Sequence, residues 1–279
     1  AELLSKYYGG NYTTADKGYY GIDDTVSEFA LPEEGEVSVY YGAEPVTAEV
    51  ADGKIQVSGI EKLEAQKEYS LNIFVGNNAF VQPFVAATKV IRKAEDLSFF
   101  ALEGLESSGS ASKGYTVSST TNFDGYYVVA NDIDASAYTH TIVANADQNT
   151  ILNGVNGKVV SNDGDGARYG QLHMVRTLNG GLSGTFDGAG HTISNITVFD
   201  QGLFGIIKGG TVKNIGFTGV TLNGSAYQKN IALFAQYSNK ATFSDVYVKT
   251  NTIFGGTNTK DGKSDAEGNR AVLSITLYE

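Results

Sequence analysis

The residues with the most chemical promise are two carboxylates, Asp132 and Asp134, in the run Asn131-Asp132-Ile133-Asp134. On a strand they would project to one side. Inverting glycoside hydrolysis needs two such groups about 6.5–9.5 Å apart, one acting as acid and one as base. The plainer reading is that short acids flanking a turn accept hydrogen bonds from its amides. A lyase would want a basic residue beside a cation site, and Arg168, close to Asp163 and Asp165, is the only candidate. Asp163-Gly164-Asp165 also opens like a calcium loop, yet Gly166 follows and no acid closes it. Asp261, Asp265 and Glu267 form a second loose acidic group. Calcium is therefore the one cofactor that the composition leaves open, at Asp163 and Asp165. Asp187 stands before Gly188 as an Asx-turn acceptor would, and His191 is placed to start a strand on the solvent face.

Much chemistry is excluded. The 279 residues contain no cysteine and three histidines, so there is no thiol nucleophile, no thiolate metal site and no obvious three-histidine cage. A net charge of −11 disfavours nucleic acid as a partner, because phosphate binding needs a basic footprint. No apolar run approaches the roughly 18 residues that span a bilayer. No assembled catalytic signature remains.

The elements that would have to position these residues read as β-strands. With 34 Gly and 3 Pro, the composition suits many short strands joined by tight turns. Val37–Tyr41 alternates, Asp52-Gly53 turns into Lys54–Val57, and Tyr69–Val75 alternates again before Gly76-Asn77-Asn78. Residues 1–88 are therefore expected to form a small antiparallel sandwich, immunoglobulin-like in architecture although it lacks Cys and Trp. Pro83 belongs on an edge or at a bulge. Residues 89–122 carry a strand, an amphipathic helix with Leu97, Phe100 and Ala101 on one face, and a Ser-rich linker.

Repeats dominate residues 123–279. Ile193-Ser194-Asn195-Ile196-Thr197-Val198 matches Val212-Lys213-Asn214-Ile215-Gly216-Phe217 and Phe243-Ser244-Asp245-Val246-Tyr247-Val248. Ile196 and Ile215 are 19 positions apart, and Ile215 and Val246 are 31 apart. Gly202-Leu203-Phe204-Gly205 recurs 30 positions on as Ala232-Leu233-Phe234-Ala235. A recurring strand motif at unequal spacing is expected of stacked coils carrying loops of different length, none stable without its neighbour. Asn195, Asn214 and Asp245 are expected at one register, at a bend. A stack of coils leaves an open end, which the helix near Leu97 is placed to cap.

Gly184-Thr185-Phe186-Asp187-Gly188-Ala189-Gly190-His191-Thr192-Ile193, with Gly202–Gly205 and Gly210–Ile215, resembles the GLUG-motif repeats of bacterial surface proteins. Gly125–Asp134 resembles the segment that opens such regions. The resemblance covers roughly Phe123 to Thr252 and implies a short right-handed parallel β-helix in a secreted or cell-surface, adhesin-like bacterial protein. The Ala232–Ala235 copy departs from the motif by losing both glycines. The expected fold class is thus all-β: a sandwich, a capping helix, then the β-helix.

Two functions follow as expectations. The first is a non-catalytic, monomeric surface protein that binds glycans or host and extracellular ligands. Its four Tyr-Tyr pairs (Tyr7-Tyr8, Tyr19-Tyr20, Tyr40-Tyr41 and Tyr126-Tyr127) would each turn one ring outward for stacking on sugars. The second is a polysaccharide lyase or glycoside hydrolase with its groove along the coils, although the paired aspartates and Gly-His-Gly of polygalacturonases are absent. Acids recurring at one outward register would mark the enzyme, and ladders of Asn, Thr and Ser the scaffold. A start at Ala1 rather than Met suits a chain whose signal peptide has been removed.

Overall fold

The structure is a computed structural model that describes residues 11–100, 106–110, 114–141, 175–199, 202–223, 231–254, 270–271 and 274–278. The protein is β throughout, apart from one short helix among those residues. It divides into two compact units, Ala1–Val90 with Gly125–Ala130, and Ile91–Asp124 with Asn131–Glu279. No helix is long and apolar enough to cross a membrane among the described residues.

The strands of the first unit are β1 (Thr13–Thr14), β2 (Gly18–Gly21), β3 (Ser27–Ala30), β4 (Val37–Tyr41), β5 (Glu44–Pro45), β6 (Thr47–Ala51), β7 (Lys54–Ser58), β8 (Glu68–Val75) and β9 (Asn78–Ala87). β10 (Lys89–Ile91) follows them at the unit's end. One sheet runs β1-β9-β8-β4-β5 with β2 also on β9, and a second runs β3-β7-β6. Alternation along β8 sends Leu71, Ile73 and Val75 inward, where they meet Phe29 from β3 and Ile55 and Val57 from β7. Burying one such side chain contributes about 1.5–3 kcal/mol, so this shared core is what holds the two sheets together.

The pairing is not purely antiparallel, because β1 and β2 both run parallel to β9. That arrangement places Pro83 in mid-sheet rather than on an edge. β1 pairs with Phe80 and Val81 and β2 starts at Phe84, so Pro83 lies in the gap where no ladder bond is required of it. The buried Gln82 amide closes the gap, donating to the Asp16 carbonyl at 2.6 Å and to the Pro83 carbonyl at 2.8 Å.

The second unit opens with a 3₁₀ helix, Ala94–Phe100, rather than an α-helix. Asp96 reaches back to accept the N–H groups of Arg92 and Lys93, capping the helix start. Leu97 and Phe100 are fully buried, and the Phe100 ring lies 5.1–5.5 Å from those of Phe123, Phe186 and Phe204. β11 (Glu106–Ser110) and β12 (Gly114–Phe123) form an antiparallel pair. β13 (Tyr126–Val129) belongs to the first unit by its contacts, and there the Thr88 N–H donates to the Tyr126 carbonyl.

From β14 (Ile133–Asp134) and β15 (Thr139–Thr141) onward, every strand pairing among the described residues is parallel. The strands are β16 (Val175–Leu182), β17 (Thr185–Asp187), β18 (Thr192–Ser194), β19 (Thr197–Phe199), β20 (Gly205–Lys208), β21 (Thr211–Asn223), β22 (Ile231–Ala232), β23 (Ala235–Asn239), β24 (Thr242–Phe254), β25 (Arg270–Ala271) and β26 (Ser274–Tyr278). β12, β16, β20, β23 and β26 stack in that order. β21 is shared along its length by β17, β18 and β19 on one side and β24 on the other. Inward residues stack in files: Phe186 on Val212 on Phe243, and Ile133 on Ile193 on Phe217 on Val248.

The Gly202–Gly205 repeat stacks on Ala232–Ala235 as its spacing predicts, with Leu203 and Phe204 N–H groups donating to the Leu233 and Phe234 carbonyls at 2.8 Å. The Asn motif behaves differently. Asn214 and Asp245 share a register, but Ile193 pairs with Phe217, so Asn195 lies over Gly219 instead. All four residues have left-handed backbone, with φ between 51° and 63°. The repeat therefore marks one kind of bend used in two columns, not one column. Asparagine, aspartate and glycine are the residues that adopt this conformation at least cost.

Candidate functional site

The outward side of the parallel sheet is where a binding or catalytic face would lie. Its bends show what the acids do. In one column the Asn195 amide donates to the Asp134 carboxylate on the coil above, at 3.0 Å. In the other the Asn214 amide donates to Asp187 above, at 3.1 Å. Each left-handed asparagine thus holds an acid one rung away.

Asp134 also accepts the Ser136 N–H, closing its own turn. The Asn195 hydrogen bond first, and this amide second, hold its carboxyl below the usual carboxylate range. Burial works to raise Asp187, but the Ala189 amide, Asn214 and the Lys213 ammonium together bring it below its ordinary value. A general acid needs the opposite displacement. Asp132 accepts the Thr192 N–H at 2.8 Å and lies 3.4 Å from the His191 ring. Asp132 and Asp134 are accordingly structural acceptors that tie β14 to β18.

Arg168, Asp163 and Asp165 lie outside the described residues, as do Asp261, Asp265 and Glu267. No group of three potential metal ligands occurs among the described residues. Of the tyrosine pairs, Tyr7-Tyr8 is also outside them. Tyr126 and Tyr127 are both buried, Tyr20 is buried beside a half-buried Tyr19, and Tyr40 and Tyr41 are both half-buried. The expectation of one outward ring per pair fails at Tyr126-Tyr127. Tyr126 and Tyr127 belong to a strand buried along its whole length, so neither face is solvent. Among the described residues the freely exposed tyrosines are Tyr12 and Tyr247, neither of them in a pair.

Threonine occupies the outward register instead. Thr139, Thr197, Thr221 and Thr252 pair in one continuous file across four parallel strands. Thr185, Thr211 and Thr242 make a second file through three. Parallel strands lie about 4.8 Å apart, so each file sets side chains at that pitch. Thr139 and Thr242 are exposed, and Thr185, Thr197, Thr211 and Thr221 are half-exposed. Of these only Thr197 lies within the repeated strand motif, and it is the register that aligns the seven.

One titratable group was passed over in the sequence. His140 lies between Thr139 and Thr141, facing inward in the file of Val198 and Leu222. It has no exposure. Its Nε2 bonds the Leu203 carbonyl at 3.0 Å and its Nδ1 lies 3.1 Å from the Tyr138 hydroxyl. The carbonyl requires a proton on Nε2, leaving Nδ1 to accept from Tyr138. Burial pushes the imidazole down to about 4 against the support of the Leu203 bond, and pushes Tyr138 up to about 12. Strict alternation along Thr139-His140-Thr141 was the available signal for this placement. Comparison with protein families, curated proteins and solved structures finds no match to this chain.

Proposed function

We propose that the protein is a non-catalytic, secreted or cell-surface bacterial protein, adhesin-like, which binds extracellular glycans or host-surface ligands through the outward face of a short right-handed parallel β-helix. On this reading the first unit is an immunoglobulin-like sandwich, and the 3₁₀ helix with Phe100 is the cap of the β-helix. The observation that carries the reading is the content of the outward registers. Two files of threonine run among them, beside Lys213, Tyr247 and Lys249, while Asp132, Asp134 and Asp187 are engaged in bonds between neighbouring strands. Hydroxyls at strand pitch suit a polar, repetitive ligand such as a polysaccharide, which offers donors and acceptors at regular intervals.

The test is a polysaccharide panel read three ways: new reducing ends, unsaturated products, and binding by calorimetry. Binding without either product is expected, and Thr221→Arg in the middle of the longer file should abolish it. Turnover of any substrate would overturn the proposal in favour of a lyase or hydrolase.

A further inference from the structure

The outward face of the second unit carries an aromatic ring beside a gap. On β24, Val246 and Val248 continue the inward files of Ile215 and Phe217, so Tyr247 between them points outward. It is 59% exposed, the most of any tyrosine among the described residues. A single exposed ring is ordinary on a protein surface, and its neighbour is what sets this one apart. Tyr247 faces Gly216 on β21, and Gly216 faces Thr192 on β18. Gly216 lacks the left-handed backbone of Asn214 and Gly219 on either side of it, so no bend demands a glycine there. Its missing side chain leaves a slot one strand wide, walled by Thr192 and Tyr247. At about 4.8 Å per strand, the two walls stand roughly 9.6 Å apart at the backbone. That is room for a flat ring laid against the tyrosine, and both walls belong to strands of the stack itself.

The polar groups around the ring decide what fits. Asp245 and Lys249 are exposed on β24 on either side of Tyr247, roughly 6–7 Å away along the strand. Thr218 on β21 faces Lys249. The ring is thus flanked by a carboxylate that accepts, an ammonium that donates, and a hydroxyl that does both. A ligand with net charge of either sign would meet a like charge at one end. A neutral ligand rich in hydroxyls finds a partner at both ends. A pyranose carries such hydroxyls on its rim and C–H bonds on its faces, and the faces suit the apolar body of a tyrosine. We propose that Tyr247, the slot over Gly216 and the flanking Asp245 and Lys249 form a subsite for one neutral pyranose unit of a glycan. This rests on the reading of the outward face as glycan-binding, and adds to it the place of contact and the charge of the sugar.

The test is saturation-transfer NMR on the full chain, which reads affinities on the order of 1 mM. The probes are short neutral oligosaccharides of glucose, xylose, mannose and galactose, with oligogalacturonate as the acidic comparison. At least one neutral oligosaccharide is expected to bind, with an affinity unchanged by about 0.5 M salt, since no net charge is engaged. Tyr247→Ala should weaken it about tenfold, and Tyr247→Phe by no more than about twofold, because phenylalanine keeps the stacking face. Gly216→Val should match the alanine variant by filling the slot. The nearest atom to its Cβ would be the Thr192 hydroxyl oxygen at 2.9 Å, the end of a side chain that can turn aside. Circular dichroism and Tm verify that each variant folds. Binding confined to oligogalacturonate, or loss in Tyr247→Phe as complete as in Tyr247→Ala, would overturn the subsite. So would full binding by Tyr247→Ala and Gly216→Val where Thr221→Arg abolishes it, an outcome that leaves the broader reading standing. Absence of binding to every oligosaccharide would overturn both.

Discussion

Acidification should destabilise the second unit through one side chain, His140. An unfolded histidine titrates at about 6.5, whereas burial pushes the folded one down to about 4. Between those values the unfolded state binds the extra proton, so unfolding free energy falls as pH falls. At 1.36 kcal/mol per pH unit, the gap amounts to roughly 3 kcal/mol, present in full above about pH 6.5 and lost on reaching pH 4. For a domain of this size that is on the order of 5–10 °C in Tm. The window is separate from that of the carboxylates. Asp134 and Asp187 are held below their ordinary 3.8, so their stabilisation is complete above that value and is lost only at lower pH. The measurement is urea unfolding at half-unit steps from pH 7.5 to 4.5, with His140→Gln alongside. Glutamine can keep a donor near the Leu203 carbonyl without titrating. The variant is expected to be less stable at neutral pH and flat across the window. A flat profile for the unmodified chain, or an unchanged slope in the variant, would refute the reasoning.

Three further outcomes are expected. Phe100→Ala should cost about 3–5 kcal/mol in denaturant unfolding, because the ring fills the space among Phe123, Phe186 and Phe204 and nothing near it can collapse inward. Gly202→Ala should cost about 2–3 kcal/mol, read as a lowered Tm: its φ is +85°, and a Cβ would come within 2.9–3.0 Å of the backbone of Ala232–Ala235 one coil below. Asp187→Ala should cost about 2 kcal/mol at pH 7, since it removes the acceptor for Ala189 N–H and Asn214 and the partner of Lys213. The variant should also lose stability less steeply than the unmodified chain as pH falls below about 3.8, because the missing group no longer takes up a proton on unfolding.

Periodicity revealed the strands well where one face is buried. Tyr69–Val75 alternates in sequence and in burial, and Gly202–Gly205 stacks on its copy at the expected spacing. Register was less legible. Asn195 and Asn214 look equivalent because both satisfy the same left-handed bend, and local chemistry cannot say which column a bend belongs to. Only the long-range pairing of Ile193 with Phe217 decides it. For the same reason Asp132 and Asp134 read as a carboxylate pair in sequence. Their partners, Thr192 and Asn195, are about 60 residues away. Pro83 was misplaced because two separate strands, rather than one, flank β9. Ala94–Phe100 is 3₁₀ rather than α, a difference that a short apolar period does not distinguish.

The sharing of β21 among β17, β18 and β19 bears on how the molecule carries load. In such a stack of parallel strands the hydrogen bonds run from strand to strand, along the stacking direction, while the covalent chain runs across it. Tension along the stack opens those bonds in sequence, as a zipper does, and tension across it loads the backbone. β21 is the seam at which three short strands would part together from one long one. A chain pulled along this direction would therefore open strand by strand, absorbing work in steps instead of failing at once.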